Sequence, residues 1–258
     1  MKKFSSFLVV LLLMLASFTA GVEYQRGDVD QDGLVGISDV TCLIDYLLTG
    51  TWSDEPVTPP DTHEYVDLGL PSGTLWATCN VGANAPEENG DYFAWGETEP
   101  KDYYDWSTYK WCNDSSRAMT KYCTKSVFGY NGFTDDKTEL DPSDDAAYVN
   151  WGPQWRIPSV DQQNELVTQC SWLWTTLNGV NGCLVTGPNG NSMFLPAAGC
   201  RWNDSLNSAG SYGFYWLRSL VHDLPGCAYA LFFHSTNLGY ESYSYRNCGC
   251  PVRAVRVP

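Results

Sequence analysis

The 258-residue sequence predicts an α+β protein, a small acidic loop–helix unit followed by a larger and mostly β domain. Three observations lead there. Asp28, Asp30 and Asp32 alternate ahead of Gly33, and an apolar stripe at helical spacing follows at once. A polar stretch holding Pro56, Pro59 and Pro60 then reads as an extended linker over 51–63. Beyond it, over 64–258, short runs rich in Val, Leu, Tyr, Phe and Trp alternate with Gly, Pro and Asn turn signals, and one stretch reads as a full helix.

The first element is a leader. Lys2 and Lys3 precede the apolar run FLVVLLLML and the small-residue stretch ASFTAG, which reads as an export signal over 1–21 cut near Ala20 or Gly21. That run is too short to cross a bilayer, and no second one follows it. The expected location is therefore secreted or cell-surface, with no membrane span. The net charge of −15 becomes −17 once Lys2 and Lys3 leave with the leader (−15 − 2). Such a charge argues against nucleic acid and anionic membrane surfaces, which need basic patches. Ten cysteines in an exported chain point to disulfides whose pairing the sequence leaves open. None has C-x-x-C spacing, which disfavours a zinc ribbon.

The unit over 22–50 opens on an acidic loop, 28–39, that fits calcium residue by residue. Asp28, Asp30 and Asp32 hold positions 1, 3 and 5, and Gly33 takes the sharp turn at position 6. Leu34 offers its carbonyl at position 7, a water serves beside Gly36, and Asp39 closes the loop at position 12. These oxygens meet the demand of Ca2+ for six or more hard ligands; the plainer alternative is an acidic turn that binds nothing. Val40, Leu43, Ile44, Leu47 and Leu48 then share one helical face, with Ser38 or Asp39 as cap and Gly50 as stop.

No helix precedes the loop, and the loop–helix stretch resembles a dockerin repeat. The resemblance implies a cohesin-like partner module selected in part by Ile37 and Ser38. Dockerins carry two packed repeats and this chain carries one, so the face of Leu43, Ile44, Leu47 and Leu48 requires cover from the following domain, another chain or a half-repeat partner. A calcium-set docking helix, with Ile37, Ser38, Leu43 and Leu47 as partner-binding residues, is the resulting expectation.

In the larger domain, EYVDLGL and TLWATCN read as strands around a Pro-Ser-Gly turn, and CLVTGPNGNSMFLPAAG as a hairpin turning at Asn189-Gly190. FYWLRSL, AYALFF and PVRAVRV are further strand candidates. Ser159 and Gln162 form a capping-box pattern ahead of a helix in SVDQQNELVTQC. Asp144 and Asp145 are placed to cap a short turn in SDDAAYVNWG. The stretch 112–145 lacks periodicity and reads as loop.

The segments YVDLGLPSGTLWATCNVGANAPEENGDYFAWGE, DDAAYVNWGPQWRIPS, NGCLVTGPNGNSMFLPAAG, GSYGFYWLRS and CPVRAVR resemble the FISUMP family (Fibrobacter succinogenes major paralogous domain), common in exported proteins of gut Bacteroidetes. The likeness covers nearly all of 64–258. It implies membership of the C-type-lectin-like and formylglycine-generating-enzyme superfamily, a fold with a twisted antiparallel sheet and long loops. Late loops often form the ligand site of such folds, though the fold alone fixes no activity.

The chain carries no H-E-x-x-H, G-x-S-x-G or phosphate-binding loop. Its histidines are His63 in the linker, His222 beside Asp223, and His234, none fixed to a nucleophile by a motif. Formylglycine-generating enzymes use two late cysteines with copper, which draws attention to Cys248-Gly-Cys250. The one-residue spacing departs from that pattern, and disulfides from this pair to Cys200 and Cys227 are the favoured reading.

RWNDSLNSAGSYGFYW and HSTNLGYESYSYRN combine aromatic rings with Asn and Ser, the mix of recognition loops. Trp202, Asn203, Asp204, Tyr212, Tyr240, Tyr243 and Tyr245 are the ligand-binding candidates. The expected function is an exported calcium-binding protein that recognises a glycan or surface protein, linked to polysaccharide utilisation or adhesion. The alternatives are a carbohydrate hydrolase, a formylglycine-type oxidase, or a structural surface protein whose aromatics fill the core.

Overall fold

The computed structural model describes Val40, Leu43, Ile44, Leu47 and Leu48 together with residues 63–256. The calcium-loop residues Asp28, Asp30, Asp32, Leu34 and Asp39 lie outside the described residues, as do Ile37, Ser38 and the leader. The five described N-terminal residues are all helical, as their spacing predicts. Val40, Ile44, Leu47 and Leu48 are 51% to 80% exposed. The chain divides into compact units between Thr62 and His63.

The larger unit is built from antiparallel sheets with two short helices among its described residues. Strands β1 (Tyr65–Asp67), β2 (Leu75–Ala77), β3 (Trp155–Arg156) and β12 (Val255–Arg256) form one sheet in the order β1-β2-β12-β3. The last strand thus lies between the second and third. β4 (Ser171–Leu177), β5 (Val180–Thr186) and β6 (Ser192–Pro196) make a meander. A second meander comprises β9 (Tyr212–Leu220), β10 (Cys227–His234) and β11 (Asn237–Tyr245), and β7 (Cys200–Trp202) with β8 (Ser205–Asn207) forms a hairpin. The expected antiparallel character is present, distributed over four sheets.

Both helices start where the side chains supply caps. In α1 (Ala146–Trp151), Asp145 accepts from the amides of Ala147 and Tyr148. Ser159 and Gln162 bond each other's backbone at the head of α2 (Val160–Gln169), which satisfies two amides the helix leaves open. The hairpin at Asn189-Gly190 forms as predicted, with a loop from Gly187 to Asn191. A second one went unread. Asn178 and Gly179, at φ 47° and 85°, turn β4 into β5, the positive-φ pair that a two-residue hairpin favours. HSTNLGYESYSYRN, read as loop, supplies β11.

The core is rich in tryptophan. Trp76, Trp95, Trp155 and Trp216 are all buried. Trp95 Nε1 donates to the Leu217 carbonyl at 2.8 Å and Trp216 Nε1 to the Phe93 carbonyl at 2.7 Å, so these two rings are buried with their polar edges satisfied. His63 stacks on the Trp151 ring at 4.1 Å, which places it with the folded domain and corrects its assignment to the linker.

Residues 112–145 owe their order to long-range contacts rather than periodicity. The buried Arg246 donates to the carbonyls of Lys121, Tyr122 and Pro225 and to the Tyr109 hydroxyl. Its guanidinium also lies 4.9 Å from the Trp95 ring centre and 5.2 Å from that of Tyr109. Carbonyl dipoles and π faces replace the water that this cation loses on burial. Lys121 adds ion pairs to Asp141 at 2.7 Å and Asp144 at 2.6 Å.

Candidate functional site

The β7–β8 hairpin carries the first aromatic patch. Trp202 pairs with Ser205 across a turn made by Asn203 and Asp204, with Asn203 at φ 54°. Backbone bonds pin the hairpin at two points. Asn203 exchanges N–H···O bonds with Tyr104 at 2.8 and 2.9 Å, and Arg201 does the same with Gly249 at 2.7 and 3.0 Å. Gly249 has to be small there, since a Cβ would come within 2.6 Å of the Tyr104 ring.

On this frame the Trp202 ring stands 6.0 Å from that of Tyr245, at 67°. Tyr245 in turn meets Trp106 at 6.0 Å and 79°. Trp202 is 41% and Tyr245 50% exposed, so both keep ring surface in solvent. Tyr243, also exposed, lies two residues along the same face of β11. Trp106 was missed from sequence; it heads a 3-10 turn fixed by a capping box between Asp105 and Thr108.

Tyr240 points to the other face of β11, by the alternation of strand side chains. There Phe232 sits opposite both Phe214 and Tyr240, and His234 sits opposite Tyr212. The Phe232 ring lies 4.4 Å from Phe214, 5.0 Å from Tyr240 and 5.5 Å from Tyr212. A shallow cleft of about 310 Å³ adjoins this patch, lined by Trp174, Asn181, Ser211, Tyr212, His234 and Ser235. The seven sequence-predicted ligand residues therefore fall into two groups. Trp202, Asn203, Asp204 and Tyr245 come together, with Tyr243 beside them, while Tyr212 and Tyr240 belong to a separate patch.

The ionisable candidates have structural partners. Asp145 is buried as the α1 cap and also accepts from the Ile157 amide, and burial pushes its carboxyl up to about 6 against those hydrogen bonds. Asp144 accepts from the Tyr122 hydroxyl and pairs with Lys121. His222 contacts Asp223 on the exposed surface at 3.1 Å. Among the described residues no group of three or more His, Cys, Asp or Glu side chains is placed to hold a metal ion, and the calcium-loop candidates lie outside them. The nine described cysteines are thiols in this structure. Burial raises Cys227 to about 11 and Cys248 to about 12, and Cys250 well above its ordinary value.

No family model, curated protein or solved structure matches this chain.

Proposed function

We propose that the chain is an exported calcium-binding protein whose larger domain, a C-type-lectin-like ligand display, recognises a glycan at the Trp202–Tyr245 platform. One observation carries this reading. Two half-exposed rings, with Trp106 beside them, flank an Asn203–Asp204 turn that neighbouring backbone holds still. A sugar ring offers a C–H face and a rim of hydroxyls. Aromatic surface suits the first, and the amide and carboxylate suit the second. Fixing the turn beforehand lowers the ordering cost of binding.

A glycan array probed with the wild-type protein and with Trp202→Ala and Tyr245→Ala tests the proposal. Each substitution is expected to weaken the strongest signals by about 10-fold to 100-fold, the usual cost of losing a central aromatic anchor. Binding undiminished in both variants would overturn the site, and a silent array would overturn the ligand class. A second reading has its own support in the cleft beside Tyr212 and His234, where Asn181, Ser211 and Ser235 add hydrogen-bonding groups. Loss of signal in Tyr212→Ala alone would move the site there.

The N-terminal unit is read as a dockerin-like element set by Ca2+ on Asp28, Asp30, Asp32, Leu34 and Asp39, with its exposed apolar helix face meeting a cohesin-like or neighbouring module. Calorimetric titration with calcium should give one site that is lost in Asp28→Ala/Asp32→Ala. No calcium heat in the wild type would reduce this unit to an acidic turn and helix.

A further inference from the structure

Burial raises the thiols of Cys248 and Cys250, and charge on Cys200 adds to both shifts, which puts Cys200 near this pair. Strand register separates these neighbours into distinct relations. Arg201 and Gly249 face each other antiparallel and exchange both backbone hydrogen bonds, at 2.7 and 3.0 Å. The pairs on either side of such a pair are the non-hydrogen-bonded ones. Continuing this register by one residue sets Cys200 opposite Cys250, whereas on the other side Cys248 lies in a bend outside the bridge. Non-hydrogen-bonded partners have Cα atoms about 4.5 Å apart and project to the same face, which is within the span of about 4.4–6.8 Å that a disulfide bridges. Cys250 is held in this pleat from its other edge, where it exchanges two 3.0 Å bonds with Phe93.

We propose that Cys200 and Cys250 are joined by a cross-strand disulfide in the oxidised protein. A direct bond between Cys248 and Cys250 is disfavoured, since one intervening residue strains the bridge. Cys248 sits in a bend whose amide bonds back to the Tyr245 carbonyl at 3.0 Å, outside the Arg201–Gly249 register that sets Cys200 opposite Cys250.

The oxidant is a disulfide-bearing thiol oxidant. The Cys200 thiolate attacks one of its sulfurs and forms a mixed disulfide, releasing one oxidant thiol. Cys250 then displaces the second sulfur, forming the Cys200–Cys250 bond. Two cysteine thiols give up two electrons and two protons, and the oxidant's disulfide is reduced to two thiols. Burial raises the thiols of both Cys200 and Cys250, and a protonated thiol is a poor nucleophile. The exchange therefore belongs to the folding chain, and the finished bond is shielded from reductant. Its effect is to fasten β7, which ends at Trp202 and leads into Asn203 and Asp204, to the segment that leads into β12. The platform hairpin then carries a covalent tie beside its backbone bonds. The compartment that supplies the oxidant rests on the export reading; the geometry does not, nor does it depend on the ligand.

The full chain, refolded in a buffer of oxidised and reduced glutathione, tests this without reference to location. After blocking of free thiols, non-reducing digestion and mass spectrometry should give a Cys200–Cys250 cross-linked peptide. That peptide should be absent from Cys200→Ser, whose half-buried site tolerates the change, and present in Cys248→Ser. Reduction under denaturing conditions followed by refolding without oxidant should lower the melting temperature by about 5–10 °C relative to the oxidised form. Reductant should open the bond at least about tenfold more slowly in the folded than in the denatured protein. Recovery of Cys200 linked to Cys248 or Cys227, or of Cys200 and Cys250 both blocked after oxidative refolding, would overturn the pairing.

Discussion

Trp216 and Trp202 show what decides whether this protein buries an aromatic ring or displays it. Trp216 lies on the long strand β9, inside a cluster with Trp95, Trp155 and Phe93, and its indole N–H reaches the Phe93 carbonyl at 2.7 Å. Trp202 ends a three-residue strand at a hairpin tip, where its edge-on neighbour is Tyr245. The first ring has apolar cover together with an acceptor for its polar edge, and burial is then favourable. The second packs edge-on to Tyr245 and keeps 41% of its surface in solvent. The same side chain is thus structural in one place and available in the other, which is why an aromatic surplus alone does not announce a binding protein.

The widest way to test that contrast is to remove the buried member. Trp216→Ala should cost about 3–5 kcal/mol, by loss of transfer energy and an unfilled cavity, and leave the Phe93 carbonyl without its donor. Urea denaturation monitored by far-ultraviolet circular dichroism would read this as a large fall in midpoint. A cost under 1 kcal/mol would mean that the core closes over the site.

Arg246 comes next. Replacing it with Met keeps much of the volume but strands the carbonyls of Lys121, Tyr122 and Pro225, at about 2–4 kcal/mol in all. The damage should concentrate in residues 112–135, visible as faster amide hydrogen exchange there than in β9–β11. Uniform loss of protection would instead make the segment part of one cooperative unit with the meander.

Asp145 tests the electrostatic side. Its carboxyl titrates near 6 in the fold against an ordinary value near 3.8, so between those pH values the folded state holds the extra proton. Stability from this group is therefore greatest below about pH 4 and falls as pH rises through 6, by up to about 2–3 kcal/mol. Asp145→Asn keeps an acceptor for the α1 cap and removes the titration. Its urea midpoint should vary less than that of the wild type from pH 4 to 7. An unchanged slope would place the pH dependence elsewhere.

Local signals in the sequence were the readable ones. Ser159 with Gln162, Asp145 as a cap, and the turn at Asn189-Gly190 each rest on groups a few residues apart, and each formed. What escaped depends on distant partners. The Phe93 carbonyl that satisfies the buried Trp216 edge is far off in sequence. The alternation Tyr243-Ser244-Tyr245 was a strand signal, masked by the Asn and Ser content that suggests loops. Once β11 is a strand, Tyr240 must leave the face that holds Tyr243 and Tyr245, which divides the candidate site. Trp106 joined it only through the fold. The acidic loop, legible at every position, lies outside the described residues and keeps its calcium titration as the test.

The smallest stability effect carries the sharpest functional one. Trp202→Ala removes a half-exposed ring from a hairpin that backbone bonds at Asn203 and Arg201 already hold, so its cost should stay within about 0.5 kcal/mol, that of an ordinary surface change. Ligand binding at the platform should nonetheless weaken by about 10-fold to 100-fold. Denaturation and binding measured on one preparation separate the two roles. If Trp202→Ala instead destabilises the fold by several kcal/mol and leaves binding intact, the ring is a prop for Tyr245 and Trp106. The contrast with Trp216 would then be one of degree, and the cleft beside Tyr212 and His234 would become the place to look for the ligand.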